Sequence, residues 1–330
     1  MKKFFRVLLM IISVLAIVYL FGPTPAKPDY EKTLPVISSP VDDYVKQIES
    51  KHEIKPGNEA EIVWANDSLK QKTEYAIVYL HGFTASKEEG NPVHKNIAKK
   101  FGCNLYLSRL AEHGLDTADV LINLTVENYW QSLKEALAIG KQLGNKIILM
   151  GTSTGGTNAL QLAAGYPDDI MALILLSPNV AINDPLAWVA NNHWGLQIAR
   201  LVKKGDFVES KDQRDIFKKY WYSHFRLEGV ASLQELLETS MTKETFEKIT
   251  QPTLMLYYFK DAVHQDSVVK VAAMLSMFDQ LKIPADKKRK VAMPNTGDHV
   301  LGSPIKSHDV EGAQKEIEKY LIEVLGLKPL

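Results

Sequence analysis

The chain has 330 residues, and Lys+Arg and Asp+Glu both number 39, so the formal net charge at pH 7 is zero; that balance excludes the basic excess or stripe of a general nucleic-acid binder. With 45% hydrophobic and 24% charged residues the composition is that of a globular protein, which excludes disorder and low complexity. The single cysteine, Cys103, excludes an intrachain disulfide and, in "KKFGCNLYL", reads as a small buried apolar residue.

The N-terminus opens with Lys2, Lys3 and Arg6, followed by an uncharged run from Val7 to Phe21. A basic segment followed by an apolar one is the layout of a secretory signal. Counted from Phe4, the stretch also approaches the ~20 residues that span a bilayer. Residues 1–25 therefore read as either a cleaved signal or an uncleaved anchor. In both cases the basic end stays inside and the body is exported. Thr24-Pro25-Ala26 offers small residues for cleavage, with a proline between them, and no lipobox cysteine lies nearby. Residues 26–56 read as a polar, proline-containing tether, with a short helix in "PVDDYVKQIESKH", where Val41, Tyr44, Val45 and Ile48 share a face.

From about Gly57 the chain alternates between two kinds of pattern. "AEIVWAN" and "YAIVYLHG" read as strands, "NPVHKNIAKKFG" as a helix, and "CNLYLSRL" as a strand. "TVENYWQSLKEALAIGKQLG" reads as a long helix, "NKIILM" as a strand, "GGTNALQLAAGYP" as a helix and "IMALILLSP" as a strand. Much later come strands in "PTLMLYYF" and "KRKVAMP" and a closing helix in "VEGAQKEIEKYLIEVLG". Short, continuously apolar strands alternating with helices predict an α/β fold with a doubly wound, mostly parallel sheet. Ligands of such sheets sit beyond the carboxyl ends of the strands.

Ser153 lies at that end of the "KIILM" strand, in Gly151-Thr-Ser-Thr-Gly155-Gly156, just before a helix. Strand, Gly-x-Ser-x-Gly, helix is the setting of a nucleophile elbow. The serine occupies a strained turn there, so the residues two away must be small enough for strand and helix to approach. A serine nucleophile also needs a base and an oxyanion hole. In "YLHGFTAS" the chain turns at Gly82, and the N–H groups of Phe83 and Thr154 are the candidate oxyanion donors. His81 reads as a structural histidine that shapes this loop.

The segments "HGFTAS", "GTSTGG", "YYFKDAV" and "NTGDHVL" stand in the order and spacing of the α/β-hydrolase superfamily. Within it, the chain resembles the serine carboxylesterases and monoacylglycerol lipase-like esterases over roughly Glu61 to the C-terminus. The resemblance implies a Ser-acid-His triad in that chain order, with Ser153 as nucleophile, Asp261 as acid after the penultimate strand and His299 as base after the last. The sequence context agrees with each position. His299 sits in a glycine-containing loop just past a strand, with His308 and His264 as rivals. Asp261 directly follows its strand; Asp266 is the rival acid, read instead as a helix cap near Ser267, and Asp184 is a more distant one.

Residues 57–180 and 251–330 thus form the expected core. Residues 181–250 form a helical cap inserted before the penultimate strand, with helical spacing in "LAWVANNHWGLQIARLV", "DIFKKYWYSHF" and "ASLQELLETSMT". Its aromatics, Trp194 and Trp221 foremost, are the candidate lining of an apolar substrate pocket. No phosphate-binding glycine loop and no metal-ligand spacing is present in the sequence, so no metal or cofactor is expected. The expected partner is a small-molecule ester with an apolar acyl group, with no nucleic acid, and with the membrane if the N-terminal segment is retained. The expected activity is ester hydrolysis by an exported serine hydrolase. The alternatives are a proline-type serine aminopeptidase of the same fold and a non-catalytic binding module.

Overall fold

A computed structural model describes residues 2–330. The chain opens with helix α1 (Lys2–Leu20), none of whose residues is buried. An extended segment follows and leads to α2 (Val41–Glu49). The body then lays down β1 (Glu61–Val63), β2 (Thr73–Leu80), α3 (Val93–Lys100), β3 (Asn104–Leu107), α4 (Val126–Leu143), β4 (Gly144–Thr152), α5 (Thr154–Gly165) and β5 (Ile170–Leu176). The inserted region contributes α6 (Gly195–Lys203), β6 (Phe207–Glu209), α7 (Asp215–Tyr220), β7 (His224–Arg226), α8 (Leu227–Ser240) and α9 (Lys243–Phe246). The chain closes with β8 (Thr253–Tyr257), α10 (Val271–Gln280), β9 (Lys288–Ala292) and α11 (Val310–Glu323).

The main sheet has the order β1-β3-β2-β4-β5-β8-β9. All of its pairings are parallel except β1 with β3, at one edge. Its central strands are apolar throughout because both faces are covered. Val78, Leu80, Ile147 and Leu149 face Trp130, Leu133 and Leu137 of α4. The alternate residues Ile77, Tyr79, Ile148 and Met150 face Val93 and Ile97 of α3 and Ile317 and Tyr320 of α11. Each fully buried leucine of this kind contributes about 1.5–3 kcal/mol. Helix α4 begins with a reciprocal capping box between Thr125 and Asn128, which satisfies backbone donors that no helical carbonyl can reach. Cys103 is buried beside Phe101, and burial pushes its thiol up to about 12, so it behaves as an apolar residue.

Three features depart from the sequence reading. Residues 186–202 are not one helix: the backbone turns back at Trp194, in the left-handed region with φ 62°, and only Gly195–Lys203 is α-helical. The inserted region also carries a two-stranded antiparallel ribbon, β6 with β7. Helix α10, with Val271, Met274, Met277 and Phe278 buried, starts at Val271, four residues beyond the start near Ser267 that the sequence suggests.

The segment before α2 has no regular structure, yet it is strapped to the body. Tyr30 Oη lies 2.6 Å from Thr239 Oγ1, Trp130 Nε1 donates to the Glu31 carbonyl (2.7 Å), and Tyr166 Oη donates to the Lys32 carbonyl (2.8 Å). Glu31 also pairs with the buried Lys134 at 2.7 Å, which holds its carboxyl down at about 2.

Candidate active site

Ser153 stands where β4 ends and α5 begins, with φ 54° and ψ −120°. A non-glycine residue in that region costs on the order of 1–3 kcal/mol, and it persists here because its neighbours permit no other path. A Cβ on Gly155 would lie 1.9 Å from the Leu80 carbonyl oxygen, and one on Gly151 would lie 2.2 Å from the Gly155 carbonyl oxygen. The turn is anchored from the adjacent strand: Ser153 N–H donates to Leu176 O, and Asn179 N–H donates to Ser153 O, each at 2.9 Å. The tight strand–helix approach thus dictates both glycines and pushes the serine side chain out at the strand end.

His299 follows β9 in a loop that turns at Gly297 (φ 66°). Its Nδ1 lies 2.6 Å from Asp266 Oδ2, and both side chains are buried. The other carboxylate oxygen of Asp266 accepts the N–H groups of Val268 and Val269, at 2.9 and 3.1 Å. One oxygen of the carboxylate thus closes the turn that follows it and the other meets His299. Asp266 is not the helix cap expected from the sequence, because α10 starts only at Val271, with Lys270 at its N-cap and no side-chain cap. Burial alone would raise the Asp266 carboxyl, but the His299 charge and these hydrogen bonds hold it below the ordinary value. Burial likewise disfavours the imidazolium of His299, and Asp266, followed by Glu89 and Asp298, outweighs it, so the imidazole is raised. Its Nε2 is buried and has no hydrogen-bond partner among the described residues.

Asp261, the acid expected from the sequence, is not beside His299. Its side chain is half exposed and meets His264 Nδ1 at 2.9 Å, while its Oδ1 accepts the N–H groups of Val263 and His264. The reason is the path of the loop after β8. Phe259 and Gln265 form an antiparallel bridge, and Asp266 N–H returns to Tyr258 O. The chain makes a small excursion whose tip, at Asp261, points to solvent. Its return limb brings Asp266 back to the strand end.

The loop carrying Phe83 is held by two neutral histidines. His81 is fully buried; its Nδ1–H faces Gly82 O at 2.9 Å, and its Nε2 accepts Leu110 N–H at 3.1 Å. Burial depresses its pKa to about 4, so it is a fixed structural group rather than a base. His113, which the sequence reading missed, accepts the Thr84 N–H on Nε2 at 3.2 Å, and its ring lies 5.0 Å from that of His81.

A second missed residue is Glu89. Its carboxylate accepts Gly82 N–H at 2.6 Å, and burial pushes the carboxyl up to about 7, only partly offset by Gly82, His299 and Trp221. Its only local signal is "SKEEG", which reads as a solvated charge run.

Ser153, Thr154, Phe83, Glu89 and His299 line one cavity of about 470 Å³. The remaining wall comes from the inserted region, including Val208, Phe217, Trp221, Phe225 and Leu233. Trp221 stacks on Phe217 with ring centroids 5.2 Å apart, and Phe225 meets Phe83 edge to face at 5.6 Å. The cap is tied directly to the loop carrying Phe83, because Tyr222 N–H donates to Thr84 O at 2.8 Å. Trp194 is not part of this lining. Its Nε1 donates to Val18 O of α1 at 2.9 Å, because the turn preceding α6 directs it toward the N-terminal helix.

A parallel sheet with a strained serine between β4 and α5, and a buried His–Asp pair at the ends of later strands, defines an α/β-hydrolase. The sequence profile of the family described as "Serine aminopeptidase, S33" matches residues 122–293, just over half of the chain, and the protein belongs to that family. It is 27% identical over 187 residues to the thermostable monoacylglycerol lipase of Bacillus sp. (strain H-257), a match covering 57% of this chain and 70% of that protein. Among solved structures, a metagenome-derived lipolytic enzyme of the LipS and LipT study superposes with a TM-score of 0.64 at 15% identity, over 82% of this chain and 99% of that one. The monoacylglycerol lipase of Paleococcus ferrophilus superposes at 0.58 and 17% identity, over 80% and 97%. Est1E of Butyrivibrio proteoclasticus superposes at 0.55 and 19% identity, over 81% and 95%. At these identities the structural matches establish the fold.

Proposed function

We propose that the protein hydrolyses carboxylic esters through an acyl-enzyme, with Ser153 as nucleophile, His299 as general base and acid, and Asp266 as the residue that orients His299. The observation that carries this reading is the state of the imidazole. One nitrogen is fixed by a buried carboxylate, and the other is unpaired in a cavity that also holds the elbow serine. His299 Nε2 takes the Ser153 proton as Oγ attacks the acyl carbon. The N–H groups of Phe83 and Thr154 receive the oxyanion, a contribution typically worth 10²–10³-fold in rate per donor. The same imidazole then protonates the departing alcohol and activates water for deacylation. The apolar wall of Phe83, Phe225, Leu233 and Val208 suits the acyl group, and the lipase relative agrees with an ester substrate.

Residues 2–20 act in this reading as a membrane anchor or export signal. The 19-residue helix is apolar enough to cross a bilayer, and no part of it is buried by the body.

The family's description and the Glu89 carboxyl favour a second reading, an aminopeptidase whose substrate ammonium meets that acid. Labelling by a fluorophosphonate probe, followed by p-nitrophenyl esters against aminoacyl anilides, separates the readings. Ester turnover with negligible anilide turnover is expected, and Ser153→Ala and His299→Ala should each abolish labelling. The double variant should be scarcely worse than either single one, because the residues act as a unit. Near-normal turnover in either single variant removes the proposal.

A further inference from the structure

Helix α6 carries an apolar stripe that the body leaves uncovered. Ile198, Leu201 and Val202 stand at i, i+3 and i+4, so they share one face, and Trp194 stands at the N-cap just ahead of the helix. Leu201 is 80% exposed and Val202 66%, with Ile198 also exposed. Leu186 and Trp188, from the turn that packs on α6, are exposed as well. Lys203 and Lys204 close the helix.

Two further observations say what lies against this face. Trp194, at the head of the stripe, donates its indole N–H to Val18 O, in the last turn of α1. His193 Nδ1 bonds Gly22 O at 2.8 Å, and Trp194 N–H bonds Pro23 O at 3.1 Å. At 1.5 Å per residue, α1 is about 28 Å long, close to the ~30 Å of a hydrocarbon core. Val18 therefore marks the depth at which the helix leaves the bilayer, and tryptophan favours that level. The tether is also no swivel. From Gly22 to Lys32 it is bonded in turn to His193, Trp194, Thr239, Trp130 and Tyr166. A loose linker would let the body tumble above the membrane, whereas this strap fixes one orientation of α6 relative to α1.

We propose that the cap rests on the membrane crossed by α1, with Ile198, Leu201 and Val202 of α6 inserted at the boundary between headgroups and acyl chains, while Lys203 and Lys204 reach the headgroups. This rests on the reading of residues 2–20 as a retained anchor. The cap that walls the substrate cavity is then in contact with the lipid phase, so apolar esters enter from the bilayer rather than from water.

The test uses the full-length chain in phosphatidylcholine/phosphatidylglycerol vesicles. A Cys103→Ala background carries Leu201→Cys or, on α11, which packs against α3 rather than the cap, Ile322→Cys; each is labelled with the fluorophore NBD. At position 201 the emission should shift to the blue and be quenched by spin-labelled lipid, and at position 322 neither should occur. An equal response at the two positions overturns the proposal. Resistance to carbonate extraction, measured on the same vesicles, reports α1 separately: release into the supernatant removes the anchor reading and the docked cap with it. A Leu201→Glu/Val202→Glu variant should stay carbonate-resistant and keep its rate on a soluble acetate ester, while losing about ten-fold on a long-chain ester dissolved in the vesicles. Equal rates on the vesicle ester also overturn the proposal.

Discussion

Asp266 Oδ2 lies 2.6 Å from His299 Nδ1, and Asp261, five residues earlier, faces His264 on the exposed side of the same loop. Replacing Asp266 by Asn should leave the fold in place and lower kcat by on the order of 10³–10⁴, because the imidazole loses its fixed tautomer. Asp261→Asn should stay within a few-fold of the parent. Steady-state kinetics on one ester decides between them, and a larger loss in the Asp261 variant would return that residue to the site.

The same pair sets a pH dependence. The imidazole must be neutral to act as a base, so activity falls as pH drops through its folded pKa. Asp266 is the largest influence that raises it. The acid limb of kcat/KM should therefore lie above the ordinary histidine value, and in Asp266→Asn the residual activity should show that limb moved to lower pH. An unmoved limb would mean that another group titrates.

Glu89 makes a separate prediction about stability. Its carboxyl rises from 4.5 to about 7 on folding, so between those values the unfolded chain releases a proton that the folded chain keeps. Stability on this account is present below pH 4.5 and declines as pH rises to about 7, by up to about 3 kcal/mol at 1.36 kcal/mol per unit. Glu89→Gln keeps an acceptor for Gly82 N–H and removes the titration. Urea unfolding at pH 5 and pH 8 should show the parent losing more stability than the variant over that interval, and parallel losses would mean the carboxyl does not titrate there.

Trp221 and Trp194, the two candidate pocket tryptophans, should behave differently. Trp221 walls the cavity and Trp194 touches α1. Trp221→Ala removes a few tens of Å² of apolar contact at about 25 cal/mol per Å². Its kcat/KM for medium-chain esters should fall about ten-fold, with acetate esters far less affected. Trp194→Ala should leave the chain-length profile of soluble esters unchanged. A uniform loss across chain lengths in Trp221→Ala would reduce that residue to a brace for the cap.

Gly155→Ala places a Cβ 1.9 Å from the Leu80 carbonyl oxygen, on backbone that has nowhere to move. It should cost about 3 kcal/mol or more, at the severe end of overpacking. Gly205→Ala, with no atom within 4 Å of the added Cβ, should change stability by less than about 0.5 kcal/mol. Thermal unfolding of the two variants side by side checks the contrast.

The alternation of apolar strands and amphipathic helices, the elbow at Ser153 and the loop position of His299 were all legible in the sequence, because each is written in local signals: periodicity, a glycine pair, and a strand end followed by a turn. Choosing between Asp261 and Asp266 was not, because it depends on how a nine-residue loop doubles back, and that is fixed by the Phe259–Gln265 bridge and the Asp266–Tyr258 hydrogen bond. Glu89 was hidden for a similar reason. In "SKEEG", Lys87 reaches Glu61, Glu88 reaches Asn91 and only Glu89 turns inward, and no property of the run distinguishes the three. The helical spacing around Trp194 was real, but the backbone breaks there, and Trp194 found its partner 176 residues earlier in the chain. Local chemistry determined the strands, the elbow and the class of reaction. Contacts between residues far apart in sequence decided which acid meets the histidine, what lines the cavity and which face the cap presents, because those depend on loop closure and packing that no short window contains.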